Sequence, residues 1–69
     1  NFVGTVLDRG QELGVVRDDL PRSFMIECSM GLGEAVDGWM LLHWDEMDSQ
    51  ERLEMLKVEF DLFRRLLGK

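Results

Sequence analysis

The stretch "DSQERLEMLKVEFDLFRRLLG", Asp48 to Gly68, decides the fold. It opens with Asp48 three residues ahead of Glu51, a capping-box spacing with aspartate in the Ser/Thr place. Ser49 is a competing cap. Arg64 and Arg65 stand near the far end, where the helix dipole favours positive charge, and Gly68 closes the segment. The pattern predicts a helix over about 49–67. At about 100° per residue its apolar side chains fall into two stripes. Leu53, Leu56, Phe60, Phe63 and Leu67 form one; Met55, Val58, Leu62 and Leu66 form the other. The remaining face holds Glu54, Lys57, Asp61, Arg64 and Arg65. There Lys57–Asp61 and Asp61–Arg65 are opposite-sign pairs four residues apart, the mark of a solvated face.

Upstream, "RDDLPRSF" resets the chain. Pro21 disfavours a helical Leu20 but suits a first helical position. Asp18 and Asp19 bring acceptors and negative charge to that N-terminus. A second helix is predicted from Pro21 or Arg22 to Met47. It too is apolar on two sides. Phe24, Cys28, Leu32, Ala35, Val36, Trp39 and Leu42 make a broad face. Ile26, Met30, Met40, Leu41 and Trp44 make another, interrupted by Gly33 and Asp37. A first helix over about 1–13 carries Phe2, Val3, Val6, Leu7 and Leu13, and Gly14 can take the left-handed conformation that ends it. Val15 or Val16 would then pack back on the last turn.

A surface helix needs one apolar stripe. Two consecutive helices with two stripes each need two partners each, because a buried Leu- or Phe-sized side chain contributes about 1.5–3 kcal/mol. The economical arrangement is all-α: three helices, the last two an antiparallel hairpin. One side of the hairpin packs on the rest of the domain, the other on a second copy, giving a four-helix bundle in a homodimer. The residues expected at that interface are Gly33, Met40, Leu41, Trp44, Met55, Val58, Leu62 and Leu66. "MGLGEAVDGW", Met30 to Trp39, fits this plan. Each helical glycine costs about 1 kcal/mol against alanine, and Gly31 and Gly38, seven apart with Ala35 between them, form a small-residue seam where another helix could approach closely.

Composition bounds the function. Sixty-nine residues with 45% hydrophobic content exceed what one small core hides, and the net charge of −6 with scattered bases opposes nucleic-acid binding by this chain. Cys28 is the lone cysteine, which excludes an internal disulfide and suits a reducing compartment. The longest apolar run is Trp39 to Leu42, far short of the roughly 20 residues of a membrane span. No nucleophile stands beside a base and no phosphate loop occurs, so Glu27, Glu34, Asp37, Asp45, Glu46 and Asp48 read as surface acids and no enzyme is expected. Cys28 and His43 lie fifteen residues apart on one helix, about 22 Å, too far to share a metal. His43 reads as a partly buried, hydrogen-bonded histidine in preference to an effector contact or a pH sensor. The apolar neighbours of Cys28 argue against a redox sensor. The methionines and tryptophans of the second helix read as core and interface fillers before pocket-liners.

"LDRGQELGVVRDDLPRSF", "MGLGEAVDGWMLLHWDEM" and "DSQERLEMLKVEFDLFRRLLG" together resemble the C-terminal part of a TetR-family transcriptional regulator, over nearly the whole chain. The telling pieces are Gly10-x-x-x-Gly14 before "VVRDDLP", "GLGEAVDGW" and "FDLFRRLLG". The resemblance implies that residues 1–69 are part of a single C-terminal regulatory and dimerisation domain, cytoplasmic, without a cofactor, and cut from an N-terminal helix-turn-helix domain that binds operator DNA. It implies a small-molecule effector in the intact protein, a repressor's role, and dimerisation by the last two helices; the apolar character of the expected wall residues points to a hydrophobic or aromatic effector. Phe2, Val6, Met25, Cys28, Leu32 and Trp39 are the side chains expected in the effector's wall. The rival readings are a stand-alone acidic interaction module, inhibitor- or antitoxin-like, and a helical hairpin accessory to an enzyme.

Overall fold

The Asn1 side chain accepts a hydrogen bond from the Gly4 N–H at 3.2 Å and starts α1 (Phe2–Glu12). The helix ends at Gly14, whose φ of 76° is the only positive φ in the chain. The N–H groups of Val15 and Val16 both turn back to the Gly10 carbonyl, and the Val16 side chain lies where a Gly10 Cβ would stand. Gly10 is thus required by a close approach, not by its φ. The next residues reach the far end of the chain: the Arg17 N–H donates to the Leu67 carbonyl at 2.7 Å, and Lys69 N–H to Val15 at 3.2 Å.

In the computed structural model, which describes residues 1–69, the second helix is α2 (Arg22–His43). Pro21 stands just ahead of it with φ −57° and ψ 138°, and no side chain caps it. Asp19 does not supply the expected cap; both its oxygens are held by Arg17, at 2.7 and 2.9 Å. The helix also stops sooner than Met47. Trp44–Glu46 form one 3-10 turn, and Met47 is extended. Arg52 reaches across the turn: its guanidinium donates to the Trp44 carbonyl at 2.7 Å and lies 4.1 Å over the Trp44 ring. The Met47 N–H donates to the same carbonyl at 3.3 Å, so the end of the helix is satisfied from both the backbone and Arg52.

α3 (Ser49–Leu67) begins on the expected capping box. Asp48 accepts from the Glu51 N–H at 2.8 Å while Glu51 accepts from the Asp48 N–H at 3.3 Å. On its charged face the expected Asp61–Arg65 pair forms at 2.7 Å and Arg64 joins it, while Lys57 turns to Glu54 and not to Asp61. α3 runs back along α2: Trp39 shares a recess with Met55 near the turn, and Phe63 lies 3.9 Å from the Gly33 Cβ position further on. The two helices form an antiparallel hairpin. α1 leans on the open end of it, tied by the bidentate Asp8–Arg22 pair at 2.9 and 3.1 Å. The chain is all-α, with no helix long and apolar enough to cross a membrane.

The interior is small. Leu7 and Met25 are sealed at 1% exposure where α1 meets α2, and Met40 and Met47 are buried near the turn. Fifteen large apolar side chains stay exposed, from Leu62 at 39% to Phe2 at 83%. The accessible surface is 5131 Å², against about 4,450 Å² for a compact monomer of this mass. The radius of gyration is 13.7 Å, where about 11 Å is usual for this length. Both excesses describe a short rod, 39 × 18 × 17 Å, with apolar surface along its sides.

Candidate functional site

The side of α3 that meets α2 falls between its two stripes. Arg52, Met55, Glu59, Phe63 and Leu66 are half-buried along that line, so each stripe is covered along one edge and open along the other. The stripes therefore point to opposite broad sides of the hairpin. On one side Leu56 shares a recess with Asp37, Leu41 and Trp44. On the other Met55 shares one with Trp39 and Met47. Helical spacing puts Cys28, Leu32 and Ala35 on the Trp39 side of α2, and Val58 and Leu62 on the Met55 side of α3.

This divides the expected dimer interface. Leu41 and Trp44 lie on the first side, while Met55, Val58, Leu62 and Leu66 belong to the second. Gly33 and Met40 stand at the inner edge of the first side, the one facing Phe63 and the other largely buried beneath Leu41 and Trp44. These eight residues do not share one surface. The α2 residues that accompany the Met55 stripe are Leu32, Ala35 and Trp39, on the face of that helix away from the expected interface residues Met40, Leu41 and Trp44. Nothing within 4 Å of Gly31 or Gly38 would meet a Cβ, so the small-residue seam packs against no part of this chain.

The expected effector wall divides too. α1 lies over the first side, and between it and the hairpin runs an open groove of about 470 Å³. Phe2 and Val6 line it from α1, Met30 and Gly33 from α2, and Phe63 and Leu67 from α3. Met25 is sealed in the core, and Trp39 stands across the hairpin with the Cys28 and Leu32 row. The residues missed from sequence, Met30, Phe63 and Leu67, are apolar positions of stripes already recognised; only the seating of α1 reveals which ends of those stripes it overhangs.

The polar groups at the groove are Ser29, Glu34 and Asp37. Ser29 is buried at 6% and its hydroxyl donates to the Met25 carbonyl at 2.7 Å. Glu34 and Asp37 are exposed and take part in no ion pair. His43 stacks on Trp39 with ring centroids 4.3 Å apart, and its Nδ1 lies 2.8 Å from the Trp39 carbonyl, a local bond that fixes the ring. Cys28 is a half-buried free thiol. No three His, Cys, Asp or Glu side chains gather as a metal ion would require. No family model, curated protein or solved structure matches this chain.

Proposed function

We propose that this chain is the dimerisation and small-molecule-responsive segment of a TetR-like transcriptional repressor whose DNA-binding domain lies outside these residues. The family resemblance supplies the regulatory context. One observation carries the association: α1 occupies one broad side of the hairpin, while the other, from Leu32 and Trp39 to Val58 and Leu62, has no helix over it. The whole chain presents about 39 by 18 Å on such a side, room for an interface on the scale of the roughly 800 Å² per partner that stable interfaces bury. A second copy about a two-fold axis covers that surface and completes a four-helix bundle. The groove beneath α1 receives the effector on the opposite side. An effector that fits one seating of α1 better than another shifts the dimer between two states and so alters the reach of two attached DNA-binding heads.

Sedimentation equilibrium of the chain beside Leu62→Glu and Phe60→Glu tests the association. Both side chains are exposed in the single chain, at 39% and 76%, so neither change disturbs its core. A dimer dissociated by Leu62→Glu and untouched by Phe60→Glu is expected. A folded wild-type monomer at high concentration overturns the reading. It would favour the acidic module for a basic partner, because the outer flank of α2 carries Glu27, Glu34 and Asp37 without any ion pair.

A further inference from the structure

We infer that the groove between α1 and the hairpin selects a ligand with a flat apolar body and one cationic, hydrogen-bond-donating end. The inference deepens the effector half of the proposed function and rests on the groove being a small-molecule site; it does not depend on the dimer.

The floor of the groove fixes the body of the ligand. Phe2, Val6, Met30, Phe63 and Leu67 present aromatic rings, branched aliphatics and a thioether, surfaces suited to a ring or short hydrocarbon. Gly33 lies between Met30 and Phe63 and adds no side chain of its own; the nearest atom to its Cβ position is Phe63 Cζ at 3.9 Å. This keeps the middle of the groove open over the Phe63 ring.

The polar lining fixes the other end. Every polar side chain there is an acceptor. Ser29 has committed its proton to Met25, which leaves only oxygen lone pairs. Glu34 and Asp37 are carboxylates three residues apart on α2, a spacing that places them as neighbours along one rim. No lysine, arginine or histidine lines the groove. Arg22 and Arg17, on or beside the elements that border the groove, are engaged with Asp8 and Asp19. The helical N–H groups of α2 along this stretch are spent within the helix. An anionic ligand would meet two carboxylates and no donor. A neutral one would leave both exposed carboxylates to water and draw no attraction from them. An ammonium or amidinium satisfies both, and its charge-assisted bonds are the strong ones.

The test uses three probes with one ring system: 2-naphthylmethylammonium, 2-naphthylmethanol and 2-naphthalenesulfonate. Each is titrated into the isotope-labelled chain, and amide and methyl shifts report the place and strength of binding. The ammonium is expected to move Val6, Met30, Gly33 and Phe63 and to bind about tenfold more tightly than the alcohol, with the sulfonate weakest; two exposed carboxylates near one cation supply roughly that factor. In Glu34→Gln/Asp37→Asn, which keeps shape and removes charge, the ammonium should fall to the level of the alcohol while the alcohol itself is unchanged. Equal binding of ammonium and alcohol in the wild-type groove overturns the charge selection and leaves the small-molecule site standing. Shifts confined to the acidic turn around Asp45 and Glu46, or no shifts with any probe, overturn the inference and the effector reading together. Association of the chain is unaffected by either result.

Discussion

Glycines at two places in this chain should respond to the same substitution with opposite signs. At Gly31 an added Cβ meets open space, so Gly31→Ala removes the backbone-entropy cost of glycine and stabilises α2 by about 1 kcal/mol. At Gly10 the same gain is available from α1, but the new methyl overlaps Val16. Val16 cannot swing away cheaply. Its N–H is bound to the Gly10 carbonyl at 3.2 Å, its residue pairs with Gly68, and its β-branched side chain is short and stiff. Overpacking of this kind costs about 1–3 kcal/mol, so Gly10→Ala should lose between roughly zero and 2 kcal/mol after the helix gain is subtracted. One kcal/mol moves the melting temperature of a chain this size by about 4–8 °C. Thermal unfolding by far-ultraviolet circular dichroism, at concentrations low enough that association adds no stability, should show Gly31→Ala melting higher than wild type and Gly10→Ala lower. Equal stabilisation by both alanines would refute the argument, because it would mean that the Val15–Arg17 segment is free to leave α1. Repeating the melts at high concentration adds a second reading: loss of the Gly31→Ala gain there would show that the second copy approaches the seam.

Two further outcomes follow from local contacts. Arg52→Gln removes the cation from the Trp44 ring and one of the two donors to the Trp44 carbonyl; it should cost about 1–2 kcal/mol in urea unfolding and shift the tryptophan emission, whereas an unaltered spectrum would show that the 3-10 turn holds without Arg52. Asp19 is held at about 2, below the ordinary 3.8, chiefly by its hydrogen bonds from Arg17. A lowered carboxyl pKa contributes stability above the ordinary value and loses it as the pH falls from about 4 toward 2. Carbon-detected titration should therefore find Asp19 ionised at pH 3 in wild type and largely protonated there in Arg17→Gln; identical curves would remove the pair from the account.

The helices were legible in the sequence because their punctuation is chemical. Asp48 with Glu51, and Gly14 after Leu13, state their roles in residue type alone, and the structure places the cap and the left-handed turn there. The end of α2 was not legible, since the apolar and acidic pattern continues past His43 without glycine or proline. The contacts at that end come from Arg52, eight residues on from Trp44, which stacks on the ring and binds the carbonyl beside the Met47 N–H. The two-stripe character of α3 was also legible, but the pairing of stripes across the hairpin was not. That depends on which direction faces α2, and the direction falls between the stripes, where Glu59 interrupts the apolar pattern. A wheel gives angles within one helix and carries no common zero between two. The full groove is hidden from the sequence for the same reason: Phe2 and Val6 stand out as apolar residues of the first helix, but their partners Met30 and Phe63 depend on where α1 lies.

The central claim is that a second copy covers the side of the hairpin opposite α1. Isotope-filtered nuclear Overhauser spectroscopy on an equal mixture of labelled and unlabelled chains observes contacts between copies alone. The account predicts such contacts among Leu32, Trp39, Val58 and Leu62, and none at Leu41, Leu53 or Phe60. Contacts between copies centred on Leu41, Leu53 and Phe60, or none at concentrations where the chain is folded, would contradict it.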